Sequence, residues 1–247
     1  MRLWLYGAAT TLLIVLSALE NTLAQDGYTN IRTVAVVSEI DHELLVQYVG
    51  PTHFIYEAHK LPMGTTVSDH AIATVKAALK DRFTVLSDSP PPELFALSLV
   101  GLSRQQMNQI AALPTSARAD AYVVIYPLEC RQNMGSLTLI HQNGALKGYG
   151  TTLCTGTRVA VLDAHSGKTL DYGTSGSPAA CNDTILASSP SDMSGAQAQQ
   201  LTASAENVVD KTLFIAMNSA GLISDSEAKK LDTEARRISE SLPCQWW

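Results

Sequence analysis

A few well-separated stretches of the chain carry a regular pattern of apolar and polar positions, and they predict most of the fold. The longest is Thr152–Thr174, TLCTGTRVAVLDAHSGKTLDYGT. Two β-rich runs, Gly148–Asp163 and Lys168–Thr174, flank the turn residues Ala164-His165-Ser166-Gly167, which predicts a long β-hairpin. Thr33–Ile40 (TVAVVSEI) and Ala119–Tyr126 (ADAYVVIY) are apolar at consecutive positions, the mark of central strands covered on both faces. Leu44–Val49, Phe54–His59, Phe83–Leu86 and Ser136–His141 read as further strands. Asp41-His42-Glu43 and Gln142-Asn143-Gly144 read as turns, and Gly50-Pro51 and Leu61-Pro62-Met63-Gly64 as breaks.

Helical spacing alternates with these runs. Val67, Ala71, Ile72, Val75, Ala78 and Leu79 form one stripe, predicting a helix over Val67–Arg82 with Thr66 as its cap. The stiff run Pro90-Pro91-Pro92 leads to two shorter predicted helices, Glu93–Val100 and Ser103–Leu113, the second capped by Ser103. Ser175–Gly195 is rich in small and turn residues and reads as a long loop. Ala196–Ala220 is a strong amphipathic pattern that Gly221 is placed to end in a left-handed turn. Ser224-x-x-Glu227 is a capping box for a last helix reaching about Ser241, with a narrow stripe of Leu231, Ala235, Ile238 and Leu242. This order predicts an α/β (α+β) fold, a mixed sheet of about five to seven strands with helices packed on it and a C-terminal helical appendage. The expected division is residues 1–24 as a leader, 25–221 as the sheet domain, and 222–247 as helix and tail.

The leader changes the picture. Arg2 precedes the uncharged run Leu3–Leu19, and Thr22-Leu23-Ala24 offers small residues to a signal peptidase, so cleavage is expected before Gln25. The apolar run falls just short of the about 20 residues of a membrane span, and an uncleaved anchor is the alternative. The protein is therefore expected to be periplasmic or secreted, with no transmembrane span after cleavage. A net charge of −6, without any run of Lys and Arg, excludes a chain built to hold nucleic acid.

Four cysteines, Cys130, Cys154, Cys181 and Cys244, all follow the leader. An even number in an oxidising compartment predicts two disulfides, with three pairings open. Pairing Asp163 with Lys168 across the hairpin would place Cys154 opposite Ser177, close to Cys181. That register favours Cys154–Cys181 with Cys130–Cys244. No C-x-x-C or H-x-x-x-H spacing supports a metal site instead.

Catalytic patterns are missing. Gly173-Thr174-Ser175-Gly176-Ser177 departs from the G-x-S-x-G elbow, and His165 lies at the far end of the hairpin from Ser175. Asp41 and Glu43 flank His42, but neighbours on a strand alternate faces and cannot converge as three ligands. His53 and His59 are too far apart on an extended segment to share an ion. His70, in the first turn of its helix, is expected at the surface. Asp163, Ser166 and Gly167 are read as a structural turn, Asp163 taking backbone N–H groups. No phosphate loop or dinucleotide fingerprint is present, so no cofactor is expected.

The strand TVAVVSEI, the helix Val67–Arg82, the strand Ala119–Tyr126 and the D-x-x-S-G-K turn of VAVLDAHSGKTL together resemble exported bacterial proteins of the CsgG/TolB-N-terminal-like class. The resemblance spans roughly Thr33–Gly221. It implies a layered α/β fold used in envelope assembly, secretion or scaffolding, without catalytic residues. The chain departs from that class in having no lipobox cysteine and no pair of pore-forming hairpins. The function expected is an exported, non-enzymatic envelope module that binds another envelope protein. A periplasmic hydrolase and a small-ligand-binding protein are the alternatives.

Overall fold

The structure is a computed structural model. It describes residues 28–40, 43–49, 55–62, 66–96, 100–128, 137–144, 148–175, 179–183, 195–239 and 245–246. The strands are β1 (Thr33–Ser38), β2 (Glu43–Val49), β3 (Ile55–Pro62), β4 (Thr84–Val85), β5 (Ala121–Leu128), β6 (Leu137–Gly144), β7 (Gly148–Asp163), β8 (Thr169–Thr174), β9 (Ala179–Asp183) and β10 (Gln245–Trp246). The helices are α1 (Thr66–Leu79), α2 (Arg104–Ala111), α3 (Gly195–Ser219) and α4 (Asp225–Ser239). The fold is the mixed sheet with packed helices that the patterning predicts. Its main path of seven strands runs β3-β2-β6-β7-β5-β1-β4, and β8, β9 and β10 join beside it.

β7 holds this sheet together. Its first half pairs with β6 on one edge and β9 on the other. Its second half pairs with β5 and β8. All four ladders are antiparallel, while β1 lies parallel to β5 and to β4. Alternation along β7 then assigns each side chain to one of two cores. Leu153, Val159 and Val161 face the core under α1 and α3, with Val34, Val36, Val123 and Ile125. Ala160 and Leu162 face the other, with Ala35, Val37, Tyr122, Val124, Phe95 and Ile110. Consecutive apolar residues in β1 and β5 are thus explained, since both faces of those strands are buried.

Several boundaries differ from the pattern. α1 stops at Leu79, short of Arg82, and includes Thr66 in its first turn. Arg82 is recruited elsewhere, donating to the carbonyls of Gly221 and Leu222 beyond the end of α3. Tyr28 Oη donates to Ala220 O at 2.6 Å, and its ring meets Phe83 edge-on. The last carbonyls of α3 accept from the backbone that follows, Ala216 O from Ala220 N, Met217 O from Leu222 N and Asn218 O from Gly221 N, while Tyr28 and Arg82 hold the carbonyls of the turn itself. Gly221 takes φ +64 there, as the end signal requires. The expected helix Glu93–Val100 is a single tight turn at Pro92–Leu94, because three successive prolines leave too few free N–H groups to start an α-helix; residues 97–99 lie outside the described ones. Ser103 caps α2 in a full capping box with Gln106, and Ser224 and Glu227 do the same for α4.

β3 runs on to Pro62, and β6 runs through Gln142-Asn143-Gly144, which was expected to turn. Gly144 pairs with Gly148, so the reversal falls later. Two strands went unseen in the sequence. β9 lies inside the stretch read as a loop, and β10 lies in the Trp-containing tail; each is held by pairing to a neighbour rather than by its own pattern.

α3 crosses close over β8 at Gly173. A Cβ built there would meet Ala216 O, with Ala220 N at 2.5 Å and Ser219 C at 2.9 Å, all backbone atoms that cannot swing aside. Gly173→Ala is expected to destabilise the chain by about 1–3 kcal/mol, read from urea unfolding. A loss under about 0.5 kcal/mol would show that α3 is free to lift from the strand.

Candidate functional site

The tetrad between β7 and β8 forms a tightly bonded turn. Asp163 Oδ1 accepts from the N–H of His165 at 2.7 Å and of Ser166 at 2.9 Å. Gly167 N donates to Asp163 O, and Asp163 N donates to Lys168 O, closing the reversal. Ser166 Oγ accepts from Lys168 N at 3.3 Å. Gly167 sits at φ +69 with Met107 packed over it, and its carbonyl accepts from Leu102 N. A second carboxylate joins this end of the sheet. Asp120 Oδ2 accepts from Thr33 N at 2.8 Å and Arg32 N at 3.0 Å, binding the entry of β1 to that of β5. Partial burial pulls the Asp120 carboxyl upward, but those N–H groups outweigh it and hold it below the usual range. His165 Nε2 comes within 3.9 Å of Asp120 Oδ1, yet its ring is 81% exposed. The side chains of Asp163, Ser166 and Asp120 all accept from backbone N–H groups, so their polar atoms hold the turn and the strand entries together.

His70 is the main departure among the histidines. It is half-buried between α1 and α3, with Nε2 at 3.0 Å from Asp210 Oδ1. Thr74 Oγ1 donates to the same oxygen at 2.9 Å. The expected surface position fails because α3 lies alongside α1 and brings Asp210 to its first turns. The hydrogen bond to Asp210, reinforced by Glu206, raises the His70 pKa despite its burial. Among the described residues neither His70 nor His165 meets a serine or cysteine.

Other sequence candidates scatter. Ser175 is buried and accepts from Thr157 N at 3.3 Å, a link within the sheet, while Gly176 and Ser177 lie outside the described residues. Glu43 opens β2 and pairs with Lys60 across to β3 at 2.6 Å. Asp41, His42 and His53 lie outside the described residues, and so do Cys130 and Cys244. No group of three metal-ligating side chains occurs among the described residues. Cys154 is buried and disulfide-bonded. The register places it opposite Ala180, not Ser177. Leu170 is an extra residue in β8, and the return strand breaks before resuming as β9. Cys181 is the register partner of Leu153.

A concave surface lies between α3 and α4. Lys211, Phe214, Ile215 and Asn218 of α3 and Ala228, Lys229 and Asp232 of α4 line a groove of about 250 Å³. Phe214 is buried in its floor, whereas Ile215 is 45% exposed. Sequence reading missed it because Ile215 falls off the buried stripe of α3, and only the packing of α4 turns that position into a wall.

No protein-family model matches the chain, and no curated protein matches it. Among solved structures it is similar to a protein of the DUF330 family from Xanthomonas campestris, with 12% identity, 83% of this chain and 88% of that chain covered, and a TM-score of 0.35. A hypothetical protein from Chlamydia trachomatis gives 12% identity over 87% of this chain and 98% of that one, with a TM-score of 0.35. A lipoprotein from Neisseria meningitidis gives 12% over 71% and 96%, with a TM-score of 0.29. Likeness at this level assigns neither partner nor activity to the chain.

The His70–Asp210 contact carries a pH signature. A histidine whose folded pKa lies above its unfolded value of 6.5 stabilises the fold fully below that value and less as pH rises through the folded one. The chain is expected to lose urea stability as pH rises above 6.5, and His70→Gln is expected to flatten that slope. An unchanged slope in the variant would assign the dependence to other groups.

Proposed function

We propose that the chain is an exported envelope protein that works by contact, as a binding or assembly module for another envelope protein, without catalysis. The observation that carries this reading is the α3–α4 groove, where the exposed Ile215 stands beside Phe214 and Ala228 within a rim of Lys211, Lys229 and Asp232. An apolar centre within a charged rim is the usual make-up of a protein contact. The groove is smaller than the ~300–1,000 Å³ of small-molecule pockets, which favours a protein side chain over a free ligand as its occupant. Export rests on the leader Met1–Ala24, and the envelope setting on the CsgG/TolB-like resemblance of the strands and turn.

His70 and His165 meet carboxylates that bind helix or backbone, and neither contact supports the hydrolase reading. The described helices include none long and apolar enough to cross a membrane.

A photo-reactive residue at Ile215, in the full chain expressed in its own cells, tests the reading. A discrete adduct in the envelope fraction is expected from position 215 and not from Gln109, an exposed residue of α2 on the opposite face. Equal adducts from both positions, or none from 215, would remove the groove as the working surface.

A further inference from the structure

We infer that β8 is the edge at which the chain pairs with a second copy of itself, antiparallel about Tyr172, and that the Asp171 carboxylate holds this edge partly closed. Among the described strands β8 is bonded to β7 alone. The direction of its peptide groups follows from one bond just past its end. Ser175 N donates to Thr157 O at 3.0 Å, so Ser175 turns its backbone toward β7. Antiparallel pairs alternate, so Gly173 and Asp171 do the same, and Tyr172 turns its N–H and C=O away from β7. The Tyr172 N–H is found where this alternation puts it, donating outward to Oδ1 of the preceding Asp171 at 2.7 Å.

The edge is apolar as well as open. Val100, Leu170, Tyr172 and Ile215 are the large exposed hydrophobic residues among those described, and two of them lie on β8. Tyr172 is 58% exposed. An uncovered edge with apolar side chains is a template for another strand, and proteins commonly guard it with charge. Asp171 supplies that charge here and also occupies the outward N–H of Tyr172. A strand can add at this point only when that bond opens.

The register of β8 suits a second copy. With a twofold axis at Tyr172, the two Tyr172 residues form a bonded pair, each N–H donating to the C=O of the other. Asp171 then stands opposite Gly173 of the second copy, so no side chain confronts the carboxylate and the two acids are not set against each other. A centre at Asp171 or Gly173 would need peptide groups already turned to β7. β8 has six residues, and an edge that short gives a weak, concentration-dependent dimer.

Sedimentation equilibrium of the full chain, purified as its cells make it, tests the pairing. The wild type is expected to show a reversible monomer–dimer equilibrium. Asp171→Ala frees the Tyr172 N–H in both copies and is expected to tighten the dimer by about tenfold or more. Asp171→Asn keeps an acceptor at Oδ1 and is expected to stay within about threefold of the wild type. Tyr172→Lys places two charges at the twofold axis and is expected to abolish the dimer while leaving the urea midpoint unchanged, because the position is exposed. A wild type and an Asp171→Ala variant that both remain monomeric, or a dimer that survives Tyr172→Lys, would overturn the pairing. Equal tightening by Ala and Asn would overturn the role given to Asp171. A photo-reactive residue at position 172 that captures only a different protein in cells would assign the edge to that protein and overturn the second copy. The α3–α4 groove is read separately at position 215, so failure of either proposal leaves the other standing.

Discussion

The structure depends on one strand, β7, paired on both edges over Thr151–Thr155 and again over Arg158–Leu162. β7 takes hydrogen bonds from β6 and β9 over its first half and from β5 and β8 over its second. The alternation of such a strand is the reference against which its four neighbours are aligned. Because the period is two, one residue of slip would exchange the contents of the two cores. Leu153, Val159 and Val161 would leave α3, and Ala160 and Leu162 would leave Phe95 and Tyr122. The fold is therefore specified chiefly by the register of β7.

Two cores of different character follow. The one beneath α1 and α3 is the larger and includes Leu44, Val75, Leu213 and Met217. Polar residues are nonetheless buried where α3 passes over the sheet: Thr155 and Thr157 on the strand, Ser204 and Thr212 on the helix. Thr212 returns its hydroxyl to Val209 O at 2.9 Å within its own helix, a local solution that asks nothing of the sheet. The smaller core has no long helix above it. A single helical turn and α2 cover it, and Tyr122 and Tyr126 donate to the carbonyls of Ala117 and Phe95 at its margin. The tie from Asp120 to the backbone of Thr33 fixes β1 against β5 where both cores meet solvent.

Much of this was legible along the chain because the signals were local. β1 and β5 announce double burial by unbroken apolar runs. α3 announces itself by period and by Gly221, and α2 and α4 by their capping boxes. What escaped depends on partners distant in sequence. β9 and β10 are ordinary short runs that become strands only because β7 and then β9 offer an edge. His70 reads as a surface residue until Asp210 arrives from 140 positions away. The hairpin register shifts at Leu170, where one extra residue enters β8 and no composition marks it, and again where the strand breaks before β9. The groove was invisible for the same reason, since its walls come from two helices whose relative placement is a property of the whole.

Gly173 bears on the order in which the ribbon and the helix come together. Only a residue without a side chain fits beneath the carbonyl of Ala216. A ribbon misaligned by two positions would present Asp171 or Ser175 to that spot, and α3 could not close over it. Docking of the helix thus proofreads the strand: mispaired ribbons stay open and can realign, and only the correct alignment is sealed.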